Sequence, residues 1–566
     1  MMRFKYIRYS IILGILHLGI GTPSLNGQAF RNPFDFPILL SGNFGELRNN
    51  HFHSGIDFKT QGVEGKAVHA VQDGYIARIS VSPWGYGHAL YINHPDGTST
   101  VYGHLQRFAD SMAVYVKEQQ YRQESFTVDL SLTPGQFPVR KGEVIAWSGN
   151  SGSSAGAHLH FEIRNTETEE IVDPVDYYKD RLTDKRPPKI QGVMLYPVEG
   201  RGVVNGSGKK QELKLVTAKN GKQTITGKIE AWGEIALAVK AYDYMDGTGN
   251  ILGVRKVTLK VDSLTVFHSD IDRFAFAETR YLNSFIDYEE WKDNRSFYMK
   301  SFVEPGNRLR FIKSLDRGIV KIDQERTYHL TYHLEDAYGN ATKLSIWIDG
   351  KKQPFHAPET TGAEYVHWKS DNRFGAKGIR LHIPAGCLYD DLYFCYSVKE
   401  DSTALAATHT LHNRTIALHR PAQLSLHLQT DTLADKQKYG IVRKQNNRLS
   451  WIGGVYRTGW IDADILDFGS YTVAHDAVCP VITPVHATAW IQHQQFTFRI
   501  TDNLSGIQTY RGEIDGRFAL FEMDGKNALV SYRFDKARLT RGHHTLTLTV
   551  SDACGNESVY THPFVW

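Results

Sequence analysis

Short runs in which every second residue is apolar recur along most of the chain, set apart by turns rich in glycine, asparagine and aspartate. A period of two marks strands with one face on a core and one towards water. Ala89-Leu90-Tyr91-Ile92, Val144-Ile145-Ala146-Trp147 and Leu159-His160-Phe161-Glu162-Ile163 predict three such strands, and Thr545-Leu546-Thr547-Leu548-Thr549-Val550 alternates strictly. Only Ala109 to Gln123 predicts a substantial helix. The expected fold class is therefore mainly all-β and antiparallel.

Glycine punctuation over residues 30–180 implies tight turns in one compact β unit. Asp184-Lys185-Arg186-Pro187-Pro188 predicts a linker. Beyond it, the stretch that starts near Asp243 resembles the stretch that starts near Asp502. Each closes with an alternating strand and an Asp-Ala-x-Gly-Asn turn, at Asp336–Asn340 and Asp552–Asn556. These repeats predict β-sandwich modules of immunoglobulin-like type at 188–355 and 479–566, with another β-rich unit at 356–478. Their Asp and Asn oxygens are of the kind calcium takes. Asp, Asn and Gly are also the default turn residues, and a plain turn accounts for them.

Length and ends sharpen this picture. A chain of 566 residues exceeds one core and suggests three to five domains. Arg3, Lys5 and Arg8 precede an apolar run from Ile11 to Ile20, and small residues follow up to Gly27-Gln28-Ala29. This pattern predicts a secretory signal cut near Ala29. The run is about half the roughly 20 residues needed to span a bilayer. Three of the formal +4 net charges lie in that leader, so the rest carries no basic footprint for nucleic acid. Cys387, Cys395, Cys479 and Cys554 match no zinc ribbon, and at most one optional disulfide is expected.

The candidate chemistry is concentrated between residues 50 and 163. His53-Ser54-Gly55-Ile56-Asp57 offers one nitrogen and one oxygen ligand across a glycine, a mixed set that zinc accepts. His158-Leu159-His160-Phe161-Glu162 lies on a predicted strand, so both imidazoles share one face and Glu162 shares it with them. A loop of small residues, Ser148 to Gly156, precedes it and lets a substrate backbone approach closely. Val101-Tyr102-Gly103-His104-Leu105 adds one more histidine at a strand end.

Together these segments resemble the lysostaphin or LytM-type zinc endopeptidases. That family is marked by His-x-x-x-Asp, Tyr-x-His-Leu, and His-Leu-His-Phe-Glu after a Ser-Gly-x-Ser/Thr-Gly loop. The order is the same here, over about residues 35–180. Gly42-Asn43-Phe44-Gly45-Glu46-Leu47-Arg48 and Gly85-Tyr86-Gly87 also fit. The resemblance implies one zinc ion per chain held by His53, Asp57 and His160, with His104 and His158 as catalytic histidines. His51 competes with His53 as a ligand. Glu162 is expected either to support the ligands or to be an ordinary surface glutamate.

The implied substrate is the peptide stems of peptidoglycan, and the implied compartment is the periplasm, with secretion or the cell surface as alternatives. One departure is the gap of about 35 residues between His104 and Lys141-Gly142-Glu143, read as an insertion that narrows or gates the cleft. Two other functions stay open: cutting Gly-rich proteins, and non-catalytic activation of other wall hydrolases, whose family members typically lack metal ligands. The later β modules are expected to act as spacers, with a wall or protein partner as the alternative.

Overall fold

The structure is a computed structural model that describes residues 30–358 and 360–566; the leader expected at 1–29 lies outside these residues. Among the described residues strand far outweighs helix, and the largest helix runs from Asp110 to Gln123, as the pattern predicts. No helix among the described residues is long and apolar enough to cross a membrane.

Residues 30–180 build an antiparallel sheet whose central strand is His158–Asn165. Ile56–Lys59 lies on one side of it and Thr98–Phe108 on the other. Leu159, Phe161 and Ile163 point into the core, while the even-numbered residues His158, His160, Glu162 and Arg164 carry the polar set on the other face. This alternation fixes register, because a slip by one residue would turn the histidines into the apolar core and Phe161 towards the polar face.

The sheet continues into the next module. Ile171–Val172 pairs with Arg273–Phe274, and Phe274 stacks on Phe44 with ring centroids 5.0 Å apart. Ile271 presses on Gly45, where a Cβ would lie 2.5 Å from its Cγ2, and φ is +72° there. Apolar residues of both regions form one continuous core. The expected spacer role therefore does not describe this module, which completes the packing of the preceding region.

Residues 363–476 form sheets of six and five strands around a core of their own. Residues after Val481 form two four-stranded sheets with a third core. This last unit folds back onto the helix Asp110–Gln123. Lys117 pairs with Asp535 at 2.7 Å, and Tyr121 meets Phe518 edge-on. Met112 and Val116 bury the helix's other face in the first core. The insertion after His104 docks the last unit. All four cysteines are free thiols.

A chain cut after residue 185 would leave Phe44, Phe52 and Ile171 without Phe274 and the sheet edge beside it. Such a fragment is expected to lack native near-UV circular dichroism, whereas residues 30–355 should unfold cooperatively. A fragment 30–185 with a sharp thermal transition would contradict the shared core.

Candidate metal centre

Register brings the first two donors together. His160 sits directly opposite Asp57 across one strand pair and opposite Gly103 across the other. Gly55 lets the His53–Asp57 segment hug the central strand, since a Cβ there would come within 2.2 Å of the Phe161 carbonyl oxygen. His53 is held by the turn before it: its backbone N–H donates to the Glu46 carbonyl, and its own carbonyl accepts from Gly45.

The hydrogen bonds decide which nitrogens are free. His53 Nδ1 faces the Asn43 carbonyl at 2.7 Å and must donate, which leaves a lone pair on Nε2. His160 Nε2 faces Glu162 Oε1 at 2.8 Å and donates there, which leaves a lone pair on Nδ1. Those lone pairs point at each other across 3.0 Å. Asp57 Oδ1 lies 3.1 Å from His53 Nε2 and 3.0 Å from His160 Nδ1. Three acceptors thus meet in a buried triangle. Only a cation, whether a metal ion or a proton, makes that arrangement favourable.

Donors bonded at about 2.0–2.1 Å around a tetrahedral ion stand about 3.3 Å apart. The observed edges are close to this, and the N₂O set is one zinc accepts. The donors present therefore fit a zinc ion. His51, the competing ligand, is exposed, faces the Asn49 carbonyl and is not part of the triangle.

The surrounding groups anchor each donor. Glu162 has no exposure to solvent, so the surface reading of it falls. It accepts from His160, Ser54 and Tyr86 on Oε1 and from Arg164 on Oε2. Arg48 donates to Asp57 Oδ2 at 2.7 Å, which leaves Oδ1 for the centre. Asn43, whose carbonyl orients His53, exchanges two hydrogen bonds with the backbone of Gly253 in the next module. Arg48, Ser54 and Tyr86 had no role in the sequence reading. Arg48 and Tyr86 did lie in its supporting motifs.

His104 and His158 stand beside the triangle, with ring centroids 4.8 Å apart. His104 has φ of +58°, a left-handed kink within the strand Thr98–Phe108. Its Nδ1 donates to the Ser151 carbonyl at 2.9 Å, and His158 Nδ1 donates to that of Gly156 at 2.8 Å. Both Nε2 atoms are left as acceptors. His158 Nε2 lies 3.5 Å from Asp57 Oδ1. All five residues singled out in the sequence thus come together.

The small-residue loop is braced from both sides. Gly152 has φ of +68°, and a Cβ there would lie 2.3 Å from the Gly87 backbone nitrogen. Lys526 of the last unit reaches the carbonyls of Asn150 and Ser154, and Trp84 packs on Gly525.

Charge follows burial and partners. Burial lowers His53 to about 4. Burial, then His160 and His158, lowers His104 to about 3. Burial opposes charge on His160 as well, but hydrogen bonds to Asp57 and Glu162 prevail and raise it to about 9. Burial likewise works against the Glu162 carboxylate, but Arg164 and His160 lower it to about 2. In the metal-free centre, then, a proton on His160 occupies the triangle.

Residues 51–174 match Peptidase family M23, and residues 363–476 match the Zu5-like domain. The chain carries a domain of that peptidase family, the one its three motifs resemble. Over 118 residues it is 34% identical to the DD-carboxypeptidase/endopeptidase Mpg of Neisseria meningitidis serogroup B, which covers 21% of either chain. It is 32% identical over 110 residues to an uncharacterized metalloprotease of Haemophilus influenzae, or 19% of this chain and 18% of that one. The chain thus spans about a fifth of the length of these curated relatives. Among solved structures, the catalytic domain of lysostaphin from Staphylococcus simulans is 23% identical, with a TM-score of 0.19, covering 25% of this chain and 92% of that one. A zinc-containing peptidase from Vibrio cholerae is 26% identical, with a TM-score of 0.20, covering 26% and 39%.

Two measurements check the centre. Zinc binding at pH 8 should release about one proton per chain, because His160 is still protonated below about 9 while His53 and His104 are already neutral. Release should vanish as pH rises past about 9, and calorimetry in buffers of differing ionisation enthalpy reads it directly. Glu162→Gln should weaken zinc affinity by about 10–100-fold, by loosening the His160 tautomer; unchanged affinity would show that Glu162 does not orient the ligand.

Proposed function

We propose that the protein is an exported zinc metalloendopeptidase that hydrolyses peptide crosslinks of bacterial peptidoglycan. The observation that carries this reading is the triangle of three acceptors at 3.0–3.1 Å with two further acceptor histidines at its side. His53, Asp57 and His160 would hold the ion. Bound there, zinc supplies Lewis acidity towards water and towards the scissile carbonyl.

The chain's own groups handle the proton. His158 Nε2 faces Asp57 Oδ1, so a proton taken from the nucleophilic water is supported electrostatically there. His158 then passes it to the leaving amine. His104 is too weak a base, at about 3, to keep a proton, so its Nε2 accepts a hydrogen bond from the water and orients it. The loop Ser148–Gly156 offers a low wall for an extended peptide stem. Presence of all five polar residues argues against a non-catalytic activator. Export rests on the leader pattern and the periplasmic placement on the family resemblance.

Digestion of purified muropeptides by residues 30–566 tests the proposal. Cleavage should need zinc, stop with a chelator, and disappear in His160→Ala. His158→Ala should keep stoichiometric zinc and lose about 10²–10⁴-fold in kcat. Absence of cleavage by the zinc-loaded protein would turn attention to Gly-rich protein substrates, and absence of zinc binding would sink the enzyme reading.

A further inference from the structure

Two other places in the molecule gather carboxylates, and they do so in the same way. Asp184, Asp243 and Asp336 each offer one oxygen within 4.8 Å of the others, as do Asp476, Asp502 and Asp552. In each trio the first aspartate lies in the segment that enters a β module. The second lies at the end of a strand, in Glu230–Tyr244 or just past Gln495–Thr501. The third begins the Asp-Ala-x-Gly-Asn turn.

The backbone amides hold equivalent members in equivalent ways. Asp184 accepts from the N–H groups of Arg186 and Asp246, and Asp476 accepts from those of Val478 and Ser505. Asp336 Oδ1 accepts from Tyr338 and Asn340, and Asp552 Oδ1 from Cys554 and Asn556. The Asn340 side-chain amide bridges Asp336 and the Asp184 carbonyl, as Asn556 bridges Asp552 and that of Asp476.

A plain turn explains the third aspartate of each trio, and the turn amides of Leu504 and Gly506 hold Asp502 Oδ2, but no turn accounts for Asp243. Asp243 is 4% exposed, and its Oδ1 has no hydrogen-bond partner. Asp502 is half-buried, and its Oδ1, itself sealed from solvent, has no hydrogen-bond partner either. Among the described residues, no lysine, arginine or histidine forms an ion pair with any of the six carboxylates. Arg186, which is near the first trio, spends its guanidinium on the Met245 and Thr248 carbonyls. Without a cation, burial and the Asp336 charge push Asp243 up to about 8.

Buried carboxylates without counter-charge are the ones that coordinate metals. An all-oxygen set excludes the softer preferences of zinc or copper. Carboxylates joined by backbone carbonyls in irregular turns suit calcium, which takes about 6–8 oxygens in flexible geometry, better than magnesium, which demands a near-ideal octahedron and keeps several of its waters.

We propose that each trio binds one calcium ion, and that the pair of ions clamps the segments entering the first and last β modules. The first clamp ties Asp184, at the exit of the peptidase region, to the module that shares its core. The second ties Asp476 to the unit whose Lys526 braces the Asn150–Ser154 loop.

The test is a calcium titration of the full chain, with stoichiometric zinc present so that the other centre is filled. Two calcium ions should bind per chain at or below about 1 mM, the range of extracellular calcium modules. Thermal unfolding should shift upward with calcium. Asp243→Asn and Asp502→Asn are near-isosteric and relieve charge; each should remove one ion while zinc content and circular dichroism stay unchanged. The double variant should bind none, and its melting temperature should no longer respond to calcium. The wild-type titration stands even if a variant misfolds. No uptake at about 1 mM, equal uptake of magnesium, or a stoichiometry that neither substitution changes would overturn the proposal.

Discussion

The bond from His160 Nε2 to Glu162 is the interaction on which the rest of the centre depends. A carboxylate sealed inside a sheet is costly unless its lone pairs are filled. Arg164, Ser54, Tyr86 and His160 fill them. Because His160 must donate to Glu162, its other nitrogen must present a lone pair, and the strand register places that lone pair opposite Asp57. The charge balance follows. Three acceptor groups are gathered where one positive charge fits, and without a metal ion the hydrogen bonds to Asp57 and Glu162 favour that charge on His160. Metal binding and proton release at this site are two sides of one exchange.

The β modules take part in the same structure. The first supplies Phe274 to the core, continues the sheet at Ile171, and fixes Asn43, whose carbonyl sets the tautomer of His53. The last reaches back from the far end of the chain to grip the helix Asp110–Gln123 and the loop beside His104 and His158. A change in either module therefore acts on the placement of the polar set through contacts, without any residue of its own entering the centre. Calcium clamps at both module entries would make that placement depend on an ion the compartment supplies.

Much of this was legible beforehand, and for local reasons. Alternation determined the strands, and the spacing His-x-His determined that two imidazoles share a face, because side chains in a strand repeat every two residues. The family resemblance then pointed to His53, Asp57, His104, His158 and His160. Glu162 stayed undecided between support and surface, since nothing local reveals whether the far end of a strand is covered. His51 competed with His53, which only the His-x-x-x-Asp spacing favoured; His51 lies in the two-residue strand His51–Phe52 and His53 just past it.

By itself, then, the sequence determined the all-β class, the repeated turns and the set of candidate donors, all of which depend on neighbours a few residues apart. Only the tertiary structure decided which nitrogen of each histidine is free, where the insertion goes, and that Asp184 meets Asp243 and Asp336 while Asp476 meets Asp502 and Asp552. Those outcomes depend on hydrogen-bond partners and packing between segments tens to hundreds of residues apart, and local pattern carries no information about distances of that kind.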